Sequence, residues 1–366
     1  MIRERYDCRM CHGDLREVLE LTPTPIANSF PKEPNSGEFF PLELVECLDC
    51  QHVQLRHIVP SETLFGDYKY RTPEAFRGHL RRLAKTLRRK YPNAYSLLEI
   101  GSNNGLFLDE ADKEDFTPFG VDPSYKGTIL QGYFTEKEAE RLGKKFDIVV
   151  ALNTFAHIND LDDVFRGIHI CLKNEGTVVF EVQYFIDLVE KGMFDMIYHE
   201  HLDYHTLKPL ERFLARYGLI INEFEYIDTH GGSIRIYASR TGRSRIIPDM
   251  GVDWVDFQHK IEKIKNKVVF AVRQVKLQHK DKIALFGAAA KACTSIHHFG
   301  VKDSISYCVD NTPEKQGRYI PGTAIEIMPE VMFEIEPPDL VILTAWNYED
   351  VFKAKFPTLK YLNPFG

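Results

Sequence analysis

The sequence predicts an α/β architecture in three parts: a small N-terminal module, then two successive Rossmann-like units. Three features carry that expectation. Four of the seven cysteines fall in two C-x-x-C pairs, Cys8/Cys11 and Cys47/Cys50. An apolar run, Tyr95-Ser96-Leu97-Leu98, leads into Glu99-Ile100-Gly101-Ser102-Asn103-Asn104-Gly105, and a helix-like stretch starts at Leu106. The pattern of strand, small-residue turn and helix then restarts at Lys282–Lys291.

Composition sets the outer limits. A chain of 366 residues, 44% of them hydrophobic, has room for two or three domains and a sizeable core. No apolar run approaches the roughly 20 residues that cross a bilayer. The charged start, Met1-Ile2-Arg3-Glu4-Arg5, lacks the apolar core of a signal peptide. The expected location is therefore cytoplasmic, without a membrane partner. A formal charge of −7 disfavours a general nucleic-acid surface and leaves room only for a local basic pocket. No self-association surface is readable, so a monomer is expected.

Residues 1–75 are read as a zinc-binding domain. Two C-x-x-C knuckles present four thiolates, Cys8, Cys11, Cys47 and Cys50, which suits a tetrahedral zinc ion. Turn-compatible neighbours follow each knuckle: His12-Gly13 and Gln51-His52. Two disulfides or a redox pair are the competing readings, disfavoured by a cytosolic chain and by the duplication. His12 or His52 could replace a thiolate. A full set of four ligands leaves no open position, so the metal would serve folding and not chemistry. Leu21–Asn28 holds too much proline for a helix or central strand and reads as an extended surface segment. Leu42–Glu46 alternates like a half-buried strand. A tyrosine-rich loop, Tyr68–Thr72, precedes a helix from Pro73 to about Arg89.

Residues 76–245 form the central domain, in which strand and helix signals alternate as a parallel sheet requires. An acidic residue closing a buried strand, followed by a turn with two glycines, is how a doubly wound sheet receives a nucleoside. Glycine lets the backbone approach the ligand and take dihedrals closed to other residues. The G-x-x-x-G spacing is a poor dinucleotide fingerprint. Asp122, in Phe119–Pro123, stands about twenty residues on, where a ribose-binding carboxylate belongs. Together Glu99, Gly101, Ser102, Asn103, Asn104, Gly105, Asp122 and Pro123 read as an S-adenosylmethionine site, against the plainer reading of a glycine turn. The strand Phe146–Leu152 ends in Asn153-Thr154-Phe155-Ala156-His157, which adds Asn153 and His157 to the same crevice. A helix, Asp160–Leu172, leads to the strand Thr177–Val182, and Glu181–Tyr184 points the same way.

Phe194–His205 concentrates three histidines, a glutamate and two tyrosines within eight residues, Tyr198–His205. The i, i+2 spacing of His199 and His201 does not fit H-E-x-x-H zinc ligation. Adjacent histidine and carboxylate suit proton transfer near neutral pH. A satisfied polar loop is the plain alternative.

Residues 246–280 are a helical connection, with an apolar stripe at Phe257, Ile261, Ile264, Val268, Ala271 and Val275. A coiled-coil dimer helix is its rival reading. Residues 281–366 form the last α/β domain, with strand signals at Lys282–Phe286, Ser304–Asn311 and Asp339–Asn347. Lys291 at its first helix start would suit a phosphate.

The ordered set of motifs resembles the nucleotide-sugar C-methyltransferases, S-adenosylmethionine-dependent enzymes that methylate a keto sugar at C3. It comprises the two C-x-x-C pairs, E-I-G-S-N-N-G at Glu99–Gly105, Ala156-His157, I-Y-H-E-H at Ile197–His201, His230-Gly231-Gly232-Ser233, Gly287–Lys291, and Asp310 onward with Lys315–Gly322. Asn104 and Asp122 stand where related sequences often carry Asp and Glu. The resemblance implies an N-terminal zinc-binding domain, a central Rossmann-like methyltransferase domain and a C-terminal Rossmann-like domain that binds the sugar nucleotide. It implies that His201 removes the C3 proton, that Glu200 and Tyr198 hold substrate or base, and that His157 lies near the C4 oxygen. Tyr68 or Tyr70 would be an active-site tyrosine. Tyr198, His199, Lys291, Asn311, Lys315 and Arg318 would meet the substrate, a small nucleotide-linked keto sugar of deoxysugar biosynthesis. A sugar O-methyltransferase, a zinc-ribbon interaction protein and an NAD-dependent dehydrogenase are the alternatives. The last is weakened because neither α/β half has a dinucleotide glycine pattern.

Overall fold

The computed structural model describes residues 2–60, 63–64, 71–123, 130–248, 250–278 and 282–366. Tyr68 and Tyr70 lie outside the described residues. Three main sheets order the chain. The first has the strand order Asp203–Tyr204, Val53–Leu55, Phe40–Cys47 and Leu15–Thr24, all antiparallel. Its second knuckle leaves the strand Phe40–Cys47 directly. The sheet is completed by Asp203–Tyr204, so the cysteine-bearing module is closed by a strand from the middle of the chain. Leu15–Thr24 sits at the edge, where Pro23, lacking an N–H, costs the ladder nothing. The proline-rich segment is thus an edge strand as far as Thr24 and becomes irregular only beyond it.

The central sheet has seven strands in the order Ile220–Ile227, Ser233–Ser239, Leu172–Gln183, Phe146–Leu152, Ser96–Ile100, Thr117–Asp122 and Leu130–Gln131. The last five run parallel. The first two are an antiparallel hairpin added to Leu172–Gln183, which departs from the all-parallel expectation. Loop length is the reason. Only residues 228–232 separate Ile227 from Ser233, and a parallel return needs a crossover of about a dozen residues or more. Near-continuous burial of Val149, Val150, Val178 and Val179 follows from helices covering both faces.

The C-terminal sheet is parallel throughout: Ile327–Met328, Tyr307–Val309, Ile283–Phe286, Leu340–Leu343 and Tyr361–Leu362. The two α/β units repeat one device. Gly101 N–H donates to Val121 O at 2.8 Å, and Gly287 N–H donates to Val309 O at 2.8 Å. Both glycines have positive φ, 74° and 98°.

The helix Trp254–Leu277 is capped by Asp253, whose side chain accepts from Asp256 N–H at 3.0 Å. Its buried residues Phe257, Ile261, Val268 and Val272 enter one cluster with Leu19 and Leu21, Leu188 and Phe194, and Ile296 and Phe299. Its apolar stripe is therefore occupied by all three parts of the same chain. Phe257 is fully buried at this junction, so Phe257→Ala is expected to cost about 3–5 kcal/mol. Urea denaturation followed by tryptophan fluorescence checks this; a loss below about 1 kcal/mol would show that the junction repacks around the gap.

Candidate active site

The two knuckles bring Cys8, Cys11, Cys47 and Cys50 together, all four Sγ atoms lying within 4.8 Å of one another. Cys8 and Cys50 Sγ are 3.6 Å apart, and Cys11 and Cys47 Sγ are 3.5 Å apart. Those spacings are far beyond a disulfide bond and close to the edge, about 3.8 Å, of a tetrahedron with Zn–S bonds near 2.3 Å. The four thiols fit a structural zinc ion. His52 is not in the set: it is fully buried and its Nε2 lies 2.8 Å from Asp203 Oδ1. His12 faces Asp7 instead, at 2.9 Å.

At the carboxyl edge of the central sheet, Gly101 is required by its dihedral and by crowding. A Cβ there would lie 2.4 Å from Thr154 Oγ1. Asn103 N–H donates to Asp122 Oδ2 at 2.8 Å, and Asn103 Oδ1 accepts from Asn104 N–H at 2.9 Å and Thr72 N–H at 3.1 Å. Gly105 takes φ 78° and starts the helix Leu106–Asp112. Burial and the neighbouring Asp122 raise the Glu99 carboxyl well above its usual range. Glu99 Oε2, Ser102 Oγ and Asn104 Oδ1 are buried without a partner among the described residues. Orphaned acceptors and a hydroxyl at this edge fit a hydroxyl-rich nucleoside such as that of S-adenosylmethionine. Asn153, φ 52°, donates its N–H to Glu181 O at 2.8 Å and places Thr154 against Gly101. Pro123 closes the Thr117–Asp122 strand, its carbonyl accepting from Gln131 Nε2 at 3.4 Å.

The histidine-rich loop closes the adjoining crevice. His201 Nδ1 donates to Met196 O at 3.0 Å, which leaves Nε2 as the acceptor for the Tyr198 hydroxyl at 2.8 Å. His157 Nδ1 donates to Glu200 O at 2.6 Å, and its ring centre is 4.9 Å from that of His201. Burial pulls both imidazoles below their ordinary range, most strongly His201, where the neighbouring His157 adds to it. Both are neutral at pH 7. Glu200 is buried, which raises its carboxyl, and Oε1 accepts from Asn28 N–H at 3.2 Å and Asn28 Nδ2 at 3.0 Å. Its Oε2 has no partner among the described residues. Asn28, in the segment expected to cross a surface, is thus part of the site.

Some expected residues go elsewhere. His199 is fully buried on the far side of the loop, its Nε2 donating to Pro41 O at 3.1 Å and its ring against Phe40. It packs the N-terminal module and does not reach the crevice. Arg318 Nη1 donates to Phe30 O at 3.0 Å, and Lys315 Nζ donates to Ala288 O at 2.8 Å. Both basic side chains are half-buried and hold backbone, and Lys315 Nζ also lies 3.6 Å from Asp310 Oδ2. Asn311 is exposed at the mouth of the C-terminal sheet. Lys291 begins the helix Ala290–Phe299, donates to Asn347 Oδ1 at 2.6 Å and lies 3.8 Å over the Trp346 ring. Burial lowers its ammonium, opposed by the charge of Asp195.

A second cluster sits at the end of Leu172–Gln183. Glu181, fully buried, accepts from His79 Nε2 at 2.8 Å and Arg235 Nε at 2.7 Å. Burial pushes its carboxyl up, and these partners more than offset that, keeping it ionised. Glu181 was legible at the strand end; His79 and Arg235 carried no signal.

Three family profiles match the chain: a zinc binding domain over residues 8–65, a methyltransferase domain over 68–223 and a C-methyltransferase C-terminal domain over 228–360. The C-methyltransferase NovU of Streptomyces niveus is 28% identical over 385 aligned positions, covering 95% of this chain and 91% of that protein. Among solved structures, an S-adenosylmethionine-dependent methyltransferase from Clostridium acetobutylicum is 12% identical, covering 50% of this chain and 96% of its own, TM-score 0.37. One from Archaeoglobus fulgidus is 19% identical, covering 45% and 96%, TM-score 0.34. Scores of that size carry no argument about this chain.

Two outcomes follow from the site's chemistry. The purified protein is expected to hold one zinc ion per chain by atomic absorption, and Cys47→Ser to lose it together with thermal stability; full metal retention by that variant would exclude the thiolate site. Burial holds His199 down to about 4 and His205 down to about 3. The unfolded chain therefore takes up protons first as pH falls below about 6.5, and stability should decline steadily from there toward pH 4. Urea midpoints measured between pH 4 and 8 check this, and a flat profile would contradict it.

Proposed function

We propose, from the premise that this chain belongs to the C-methyltransferases built of a zinc-binding, a methyltransferase and a C-terminal C-methyltransferase domain, that it methylates C3 of a nucleotide-linked 4-keto-6-deoxy sugar. The observation that carries the reading is the pairing of a neutral His201 with the Tyr198 hydroxyl beside His157. S-adenosylmethionine, when bound at Glu99–Gly105 and Asp122, supplies an electrophilic methyl group.

A carbon takes a methyl cation equivalent only if it carries an electron pair. A C4 carbonyl acidifies the C3–H bond, and its proton must go to a placed base. In the resting geometry Tyr198 Oη is the group that faces His201 Nε2. As the C3–H bond breaks, Oη takes that proton and passes its own to Nε2, leaving the pair shared between C3 and the C4 oxygen. The C3 pair would then form the new C–C bond as the methyl's bond to the sulfonium sulfur breaks, that pair staying on the departing thioether. Glu200, fixed through Oε1 on Asn28, offers Oε2 to a hydroxyl or amine of the sugar. His157 was expected at the C4 oxygen. Held through Nδ1 on Glu200 O with its ring against that of His201, it keeps in this reading a place beside the C4 oxygen. Lys291 of the C-terminal unit, which donates to Asn347 and lies over Trp346, is the side chain that this reading assigns to the nucleotide.

The test is mass spectrometry of protein incubated with S-adenosylmethionine and a panel of 4-keto-6-deoxy sugar nucleotides. The expected product is heavier by one methylene and has lost its C3 proton. His201→Ala and Tyr198→Phe should each lower kcat by about 10²–10⁴-fold. A methyl on oxygen, or equal turnover by His201→Ala, would replace this reading with a sugar O-methyltransferase. Because His201 lies well below its ordinary 6.5, it stays neutral into mildly acid solution. The acid limb of kcat/KM is therefore expected below pH 6.5, and a limb above 7 would exclude His201 as the acceptor.

A further inference from the structure

Arg9 lies between the two cysteines of the first knuckle, and an arginine is mostly exposed unless it is paired. Here it is 3% exposed. Its guanidinium runs into the middle of the chain and meets two loops at once. Nη2 donates to Ile158 O at 2.6 Å and to Asn159 O at 2.7 Å, and Nη1 donates to Asn159 Oδ1 at 3.2 Å. Those carbonyls follow His157 directly. Nε donates to Asp203 Oδ1 at 2.9 Å, two residues after His201. The same Asp203 oxygen is met by His52 Nε2 at 2.8 Å, from just beyond the second knuckle. Arg9 N–H is itself fixed on Gln54 Oε1 at 2.8 Å.

We infer that Arg9 is a positioning residue for the methyl-transfer reaction: it braces the His157 and His201 loops against each other from the zinc knuckle. Three features support this over a purely structural ion pair. The contacts fall on the backbone next to His157 and on the side chain next to His201, and not on residues remote from the crevice. Among the described residues the loops are joined besides by Leu202 N–H to Ala156 O at 2.7 Å, by the His157–Glu200 bond and by the His157–His201 ring contact, and Arg9 adds a tie to both from the knuckle. A planar fork of fixed donors can satisfy carbonyls and a carboxylate in one plane, which an ammonium cannot do. The knuckle that holds Arg9 is rigid when its thiolates bind metal, so the zinc module has a share in the geometry of proton transfer. The inference rests on the assignment of His157 and His201 to the reaction.

The experiment uses the full chain, zinc-loaded, labelled with ¹⁵N-histidine, as wild type and as Arg9→Lys. In wild type the ring resonances of His157 and His201 should report Nδ1–H tautomers. In Arg9→Lys both should shift while those of His297, held on Pro321 O, stay in place and zinc content is unchanged. With the sugar nucleotide that wild type turns over, kcat should fall about tenfold while KM for S-adenosylmethionine moves less than about twofold, since small misplacements of reacting groups cost rate. Ring resonances identical to wild type, an equal shift at His297, or a rise in KM that matches the fall in kcat would overturn the inference. If Arg9→Lys fails to hold zinc, Asn159→Ala replaces it, since it touches no cysteine. His201 moving together with His157 in that variant supports the brace, and His157 moving alone overturns it. The resonances test the brace even if the substrate is not a keto sugar.

Discussion

A carboxylate sealed from water is the constraint on which this molecule turns. Asp203 is 2% exposed, and a lone ion in that position would cost several kcal/mol to desolvate. It is tolerable only with Arg9 and His52 both in place, and removing one member of such a set costs about 3–5 kcal/mol. Asp203 belongs to the short strand that completes the N-terminal sheet, and it follows Glu200 and His201 by only a few residues. The charge thereby ties the cysteine module, the histidine loop and the end of the Phe146–Leu152 strand into one arrangement. His157 and His201 sit between these ties, their ring centres 4.9 Å apart.

The same economy appears on the other side of the crevice. Residues beyond Thr24 run between the histidine loop and the C-terminal unit. Asn28 reaches Glu200; Cys293 and Ala27 pack against Tyr198; Thr294 Oγ1 donates to Ile197 O at 2.8 Å. Two basic residues of the C-terminal unit meet this passage at Phe30: Arg318 Nη1 donates to its carbonyl, and Lys315 Nζ lies 4.9 Å from its ring centre. A small interior can hold few unpaired polar groups, so the side chains nearest to it were drawn into one another's service.

Much of this was written locally in the chain. The cofactor crevice depends on neighbours in sequence, a strand, a glycine turn and the next strand's acid, and local rules describe it. The four thiols are likewise declared by their spacing. What the sequence conceals is pairing at long range. Arg9 meets Asp203 across 194 positions and Asn28 meets Glu200 across 172, and no periodicity marks either. His199 is hidden for a related reason: its neighbours in sequence, Tyr198 and His201, bond each other, but the loop backbone turns it to the opposite face, onto Pro41 O. The antiparallel hairpin at Ile220–Ser239 is a different case, since the five-residue loop was visible and the alternation of strand and helix outweighed it.

The passage that carries Asn28 has one more consequence, for biosynthesis. It is clasped by residues near the end of the chain: Tyr319 N–H on Pro31 O at 2.9 Å, Asn35 N–H on Thr323 O at 2.8 Å and Gly322 N–H on Ser36 O at 2.8 Å. On the ribosome, the cofactor crevice can form as soon as the central sheet emerges, because its parts are near neighbours in the growing chain. The segment that carries Asn28 onto Glu200 is clasped only after Tyr319, Gly322 and Thr323, nearly 300 residues later, have been translated. A nascent chain therefore acquires the shape of a methyl-donor site well before the loop around Glu200 is enclosed.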